Sequence, residues 1–184
     1  MPDEPYLFLP LQFYGAEQLI GSASIDMIRA TEIAVDWAAG TKRPIVIKRH
    51  PQCDSSAVAA LMRRLEQRHG VTVSNARMPD LLAGAWAVLP GNSGVGMQAA
   101  ILLKGSIVTG TVDYLPVSVR VHAEDELASV LASYTPPSAD TIKAFLVDYF
   151  GRYCVDWTSP VTLGNTVARF LADCRLHGSK DVFN

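Results

Sequence analysis

PIVIKRHP, residues 44–51, is the stretch that decides the fold class of this chain. Its first five residues are nearly all apolar, a pattern typical of a β-strand that is covered on both faces of a sheet. A helix is predicted after it, over residues 55–69, because Val58, Leu61, Met62 and Leu65 recur at helical spacing. A buried strand followed by an amphipathic helix is the repeating unit of a parallel sheet.

The same alternation of apolar runs and helical patterns extends in both directions from this stretch. Further strands are predicted over residues 6–13, 71–73, 85–89 and 106–108, and further helices over 24–39, near 80–82, and over 95–104 and 124–133. We expect Ser24 to cap the first helix and Gly40 to end it. Residues 1–135 are therefore predicted to form an α/β domain, a Rossmann-like open parallel sheet with helices on both faces. Residues 136–184 are predicted to be a C-terminal helical extension packing on it, with amphipathic stripes at 142–149 and 167–174.

Composition and charge indicate which kinds of partner and which cellular compartment to expect. Apolar residues make up 49% of the 184 positions and charged residues 18%, which is the composition of a globular domain. The formal net charge of -2 and the scattered basic residues argue against a nucleic-acid partner. The three widely spaced cysteines form no metal-binding pattern and favour reduced thiols. No apolar run approaches the roughly 20 residues that span a bilayer, so we expect a cytoplasmic protein with at most peripheral membrane association.

Polar residues follow the predicted strands at the edge where an open parallel sheet binds its ligands. They come after each of five strands in turn, and the carboxyl ends of parallel strands meet at one edge of a sheet. The sequence therefore predicts a pocket at that edge. Its candidate substrate-binding residues are Gln12, Lys48, His50, Pro51, Ser74, Asn92, Ser93, Gly94, Gln98 and Asp113.

Two of these segments predict phosphate chemistry. The imidazole of His50 can donate a hydrogen bond to a phosphate near neutral pH, and Lys48 or Arg49 can add positive charge. A surface histidine beside a turn is the alternative interpretation of His50. Asn92 or Ser93 is expected to cap the next helix, whose free N–H groups attract anions, although the same residues suit an ordinary strand-to-helix turn. Because GxGxxG, GxxxxGK[ST], Asp-x-Asp and GxSxG patterns do not occur, dinucleotide binding, ATP hydrolysis and serine hydrolases are disfavoured.

Three segments together resemble a known family: LPLQ at 9–12, KRHP at 48–51, and MPDLL at 78–82 leading to NSGVG at 92–96. With these motifs, residues 8–131 resemble the C-terminal, donor-binding half of GT-B glycosyltransferases of the capsular polysaccharide biosynthesis and Kdo transferase type. The His-Pro pair is also similar to that of bacterial sialyltransferases, which likewise use CMP-activated sugars. The resemblance implies a nucleotide-sugar donor, CMP-Kdo or a related CMP-sugar, bound without a metal or other cofactor. It further implies that His50 contacts the donor phosphate, that Ser93 binds it from the helix end, and that residues 74–82 border the nucleobase.

The sequence departs from this family at positions that matter for catalysis. Gln98 stands where members usually carry a glutamate; it can bond a ribose hydroxyl or be a solvated helix residue. The nearest acid after Gln12 is Glu17, slightly displaced from the aspartate that is frequent there. Asp113 can reach a sugar or a phosphate, with a solvated loop residue as its alternative. Because such enzymes bind their acceptor on a second Rossmann-like domain, an acceptor-binding domain or subunit is the expected partner, and no catalytic residue is assigned.

Two other functions stay open on the sequence alone, and with them the question whether the chain is an enzyme. A non-catalytic, Rossmann-like interaction protein that has lost transferase activity fits Gln98 and the single Rossmann-like half. Half of a UDP-sugar epimerase fits the same fold with a different nucleotide. A homo-oligomer is expected where a second copy covers the apolar surface that a partner domain would otherwise cover.

Overall fold

A fully parallel sheet forms the centre of the protein. The computed structural model describes residues 1–13 and 23–154 and the single residues 161, 164, 165, 168 and 172. Strands in this part of the chain are β1 Tyr6–Pro10, β2 Ile45–Lys48, β3 Val71–Val73, β4 Ala85–Gly91, β5 Ser106–Val108 and β6 Ser118–Arg120. They lie in the order β3-β2-β1-β4-β5-β6, and every neighbouring pair is parallel. The predicted Rossmann-like sheet is confirmed, and its strand order reverses between β1 and β4.

Helices cover both faces of this sheet, as the sequence predicts. They are α1 Met27–Thr41, α2 Ser56–Leu65, α3 Met78–Ala83, α4 Val95–Ile101 and α5 Glu124–Ser133. A further helix, α6, spans Ala139–Arg152. Successive side chains of a strand point to opposite faces, so β1 contributes to both hydrophobic cores. Leu7 and Leu9 pack in the core that contains residues of α1, α2 and α5, whereas Tyr6 and Phe8 pack in the core that contains residues of α3 and α4.

The predicted start of α1 is wrong, because a different side chain caps the helix. Asp26 is the N-cap, and its carboxylate accepts hydrogen bonds from two backbone N–H groups of the first turn at 2.8 and 3.3 Å. The Ser24 hydroxyl oxygen instead lies 2.7 and 2.8 Å from the carbonyl oxygens of Thr109 and Val121. Ser24 therefore joins the segment before α1 to the segments that follow β5 and β6.

Other boundaries also differ from the prediction. The helix α1 continues through Gly40 and ends at Thr41, and its C-cap residue, Lys42, has a left-handed φ of 57°. The strand β1 ends at Pro10, so Gln12 lies beyond the strand and not in it. The strand β6 was not predicted, because only one of its three residues, Val119, is apolar.

The chain divides into two compact units, Met1–Ile142 and Lys143–Asn184. The first contains the whole sheet and the helices α1 to α5. The predicted boundary at 135/136 and the packing of a helical extension stay predictions, and the stripe expected at 167–174 falls largely outside the described residues. Among the described helices, none combines the length and the apolar character needed to cross a membrane.

Candidate functional site

An open cleft of about 170 Å³ lies at the carboxyl edge of the sheet, beside the point where the strand order reverses. The segments after β1, β2 and β4 form its walls together with the start of α3. It is lined by Pro10, Leu11, Gln12, Phe13, Lys48, Arg49, His50, Pro51, Met78, Ser93 and Val95. The position is the one where open α/β sheets bind their ligands. Thus two sequence motifs that are far apart in the chain, KRHP and NSGVG, contribute to a single cleft.

His50 is held in a defined orientation at this cleft. Its Nδ1 accepts a hydrogen bond from the backbone N–H of Gln52 at 3.2 Å, which assigns the proton of the neutral imidazole to Nε2. The ring of Phe13 meets the imidazole edge to face, with 6.2 Å between centroids and 76° between planes. The backbone carbonyl of His50 accepts from the N–H of Cys53 at 3.0 Å. His50 therefore offers an Nε2–H donor from a fixed ring.

The two cationic side chains beside His50 are bonded to the protein itself. The ammonium of Lys48 donates to the carbonyl oxygen of Ala76 at 2.9 Å, in the loop between β3 and α3. The guanidinium of Arg49 donates to the carbonyl oxygen of Cys53. Ser74, also predicted as a ligand residue, uses its hydroxyl oxygen to accept from the N–H of Ala76 at 3.2 Å. In this structure, Lys48 and Ser74 both hold the same loop residue.

The start of α4 differs from the predicted capping arrangement. Gly94 is the N-cap residue and makes no side-chain cap, whereas the Ser93 hydroxyl accepts from the N–H of Val95 at 3.3 Å. The next N–H, that of Gly96, bonds to the Ser93 carbonyl at 3.1 Å. The short helix therefore begins with N–H groups that already have protein partners, so an anion in the cleft would depend on side chains more than on this helix end.

Tyr114 holds the loop that contains Ser93. Its buried hydroxyl donates to the Ser93 carbonyl, and its ring fills the space where a side chain at Gly96 would stand. Burial raises the pKa of the Tyr114 hydroxyl well above its usual range, and the negative charge of Asp113 adds to the effect. Tyr114 is thus a neutral donor at every physiological pH.

Half of the predicted site residues do line the cleft, and half do not. Gln12, Lys48, His50, Pro51 and Ser93 line it. Ser74 and Asn92 are half-buried in the loops after β3 and β4. Gly94 at the start of α4, Gln98 within α4 and Asp113 in the loop after β5 are exposed. These last five are not among the residues that form the cleft wall in the described part of the chain.

Several wall residues were missed by the sequence reasoning because they are apolar. Leu11, Phe13 and Val95 carry no group that marks a ligand site, and only their positions next to the predicted polar residues could have indicated them. Met78 lies within residues 74–82, the region that the family resemblance implies beside the nucleobase. The described residues hold no group of three or more His, Cys, Asp or Glu side chains that could bind a metal ion. Glu17 lies outside the described residues.

Comparison with known proteins bears on the fold. No protein-family model and no curated protein matches the sequence. Among solved structures, KpsC of Thermosulfurimonas dismutans, a β-Kdo 2,7 transferase, matches with a TM-score of 0.51 and 16% identity over 78% of this chain and 45% of its own. The UDP-GlcNAc 2-epimerase of Methanocaldococcus jannaschii matches with a TM-score of 0.56 and 15% identity over 78% of this chain and 44% of its own. A calicheamicin glycosyltransferase matches with a TM-score of 0.53 and 14% identity over 94% of this chain and 43% of its own.

These similarities show a GT-B glycosyltransferase-like fold at low sequence identity. The chain spans less than half the length of each of these solved structures. The same fold appears in transferases and in an epimerase, so the fold alone does not separate these activities.

Proposed function

We propose that this chain is the donor-binding domain of a GT-B glycosyltransferase of surface polysaccharide biosynthesis, with CMP-Kdo or a related CMP-sugar as its donor. The observation that carries the proposal is the cleft itself, in which the His-Pro motif after β2 and the Ser93 loop after β4 lie together at the reversal of strand order. The resemblance of the three motifs to the Kdo transferase type supports the choice of sugar nucleotide.

The chemistry of the wall suits a nucleoside monophosphate linked to a sugar. The Nε2–H of His50 is a donor for a phosphate oxygen, and the Ser93 hydroxyl lies in the same cleft. The apolar side chains of Leu11, Phe13 and Met78 offer a surface for a base. When the glycosyl–phosphate bond breaks, negative charge grows on the leaving phosphate, and a fixed donor such as His50 stabilises it.

The cleft is small for a complete donor and its acceptor, which supports the presence of a further domain or subunit that binds the remaining parts. Drug-sized ligands occupy pockets of roughly 300–1,000 Å³, whereas this cleft measures about 170 Å³. We therefore propose that an acceptor-binding domain or subunit, or a second copy of this chain, closes it in a cytoplasmic enzyme. In this proposal residues 1–135 bind the donor and 136–184 form the helical extension. Ser74, Asn92, Gly94, Gln98 and Asp113 then serve the parts of the donor that extend beyond the cleft.

Calorimetric titration of the purified chain with CMP, UDP and ADP, without added metal, tests the proposal. We expect CMP to bind, and His50→Ala to weaken its binding by about tenfold, which corresponds to about 1.4 kcal/mol for one lost hydrogen bond to a charged group. The matched control is His69→Ala, since His69 is exposed and lies near the amino end of β3. Unchanged CMP affinity in His50→Ala would refute the site, and absence of binding by all three nucleotides would favour a non-catalytic interaction protein.

A half of a UDP-sugar epimerase is the second candidate. The structural similarity to the UDP-GlcNAc 2-epimerase, with a TM-score of 0.56, makes it a candidate. The same titration separates the two candidates, because tighter binding of UDP than of CMP supports the epimerase-like half.

A further inference from the structure

We infer that Lys48 and Ser74 are positioning residues that shape the nucleoside side of the cleft by holding Ala76, and that Lys48 does not neutralise the phosphate. This inference rests on the proposed nucleotide site and assigns different roles to two of its residues. It starts from the contacts of one loop residue. The carbonyl oxygen of Ala76 accepts from the Lys48 ammonium at 2.9 Å, and its N–H donates to the Ser74 hydroxyl at 3.2 Å.

These two hydrogen bonds fix both polar groups of the Ala76 backbone. The contact from Lys48 crosses from the end of β2 to the loop between β3 and α3, so it joins two segments that are distant in sequence. A hydrogen bond from a charged donor is stronger than one between neutral groups. Lys48 is half-buried, so its ammonium is partly removed from the water that would otherwise compete for it.

The loop needs this external support because α3 lacks a side-chain cap. Its N-cap residue, Arg77, makes no side-chain capping hydrogen bond, and the helix has only six residues. In the described part of the chain, α3 is also held at its far end, where the Tyr6 hydroxyl donates to the Leu81 carbonyl at 2.8 Å. The bonds to Ala76 therefore support the first residues of α3, together with the packing of Met78 against the core.

Met78, the first residue of α3, is the residue that this support places in the cleft. It lines the cleft and packs against the core that contains Phe8 and Val46. The thioether side chain offers a flexible, polarisable apolar surface, which suits a base and not a phosphate. His50 and Ser93, in contrast, present the polar donors of the same cleft. The bond from Lys48 to Ala76 thus acts on the part of the site that meets the nucleoside.

The test compares a nucleotide with its nucleoside, because the two differ only in the phosphate. We expect Lys48→Met to weaken CMP and cytidine by the same factor, about tenfold, as measured by calorimetric titration. Lys48→Arg keeps a donor and is expected to restore most of the affinity for both ligands. Ser74→Ala removes the other bond to Ala76 without a change of charge, so it is expected to weaken both ligands equally, by about threefold. If UDP is the nucleotide that binds, UMP and uridine take the places of CMP and cytidine.

The outcomes separate this inference from the proposed function. Weaker binding of CMP with unchanged binding of cytidine in Lys48→Met would overturn the inference and assign Lys48 to the phosphate, while the nucleotide site would stand. Binding of neither ligand by the unsubstituted chain would refute the nucleotide site and this assignment with it. If Lys48→Met does not fold, Ser74→Ala decides: equal weakening of both ligands supports the inference, and unchanged affinity for cytidine overturns it.

Discussion

Gly96→Ala is expected to destabilise the protein, because the ring of Tyr114 occupies the space of the new methyl group. A Cβ added to Gly96 would overlap ring carbons and the hydroxyl oxygen of Tyr114. The ring cannot easily move away, since Tyr114 is only 2% exposed and its hydroxyl donates to the Ser93 carbonyl. Overpacking of this kind costs about 1–3 kcal/mol, and replacing glycine in a helix returns about 0.5–1 kcal/mol. The net loss is about 1–2 kcal/mol in the free energy of unfolding.

Gly94→Ala is the matched control, two residues earlier in the same turn. A Cβ at Gly94 meets no atom within 4 Å, and the backbone φ of -58° suits alanine. We therefore expect the free energy of unfolding of Gly94→Ala to stay within about 0.5 kcal/mol of the unsubstituted value. Urea unfolding followed by tryptophan fluorescence measures both variants. Equal stability of Gly96→Ala and Gly94→Ala would refute the reasoning.

A second substitution checks the cause of the loss. In a chain that already carries Tyr114→Ala, the ring is absent, so adding Gly96→Ala is expected to cost little or to stabilise the helix. A loss as large as in the unsubstituted background would show that the ring is not responsible. The same displacement of Tyr114 is expected to move the Ser93 loop, so nucleotide affinity should also fall in Gly96→Ala.

Three further predictions concern stability and are measured by urea unfolding. Burial holds the pKa of the Tyr134 hydroxyl above its usual 10.0. The stability that this tyrosine contributes is therefore fully present below about pH 10 and falls above it, by about 1.4 kcal/mol per pH unit, because the unfolded chain ionises first. Tyr134→Phe is expected to make the loss of stability with rising pH less steep, and an unchanged loss contradicts the assignment. Asp26→Ala is expected to cost about 1 kcal/mol through loss of the cap of α1, and no loss would show that the carboxylate does not cap. Gly91→Ala and Gly70→Ala both place alanine at positive φ, and each should cost about 1–2 kcal/mol in the free energy of unfolding. Gly91→Ala should cost about 1 kcal/mol more, because its Cβ would lie 2.8 Å from Oε1 of Gln12. Equal losses would indicate that the Gln12 side chain moves aside.

The positions of the strand ends predict part of the candidate site. Knowing that a strand ends at Lys48 is enough to place His50 at the carboxyl edge, and the same argument places Ser93 there after β4. Five of the ten candidate residues line the cleft, because the carboxyl ends of neighbouring parallel strands necessarily converge. Gln98 lies seven residues beyond the end of β4, within α4, and Asp113 lies five residues beyond the end of β5. At these distances the end of the strand does not determine where the side chain lies.

The fold class follows from local sequence patterns, since apolar runs of strand length alternate with helical patterns and leave few arrangements other than a parallel sheet. The tertiary structure alone decided what individual polar groups do. The Ser24 hydroxyl lies within hydrogen-bond distance of two distant carbonyls while Asp26 caps α1, and the Lys48 ammonium donates to the carbonyl of Ala76 in the loop before α3. Periodicity is a local property that every residue of an element contributes to, whereas each of these hydrogen bonds depends on one partner supplied by a remote part of the chain. For that reason the sheet could be predicted from sequence and the partners of its polar side chains could not.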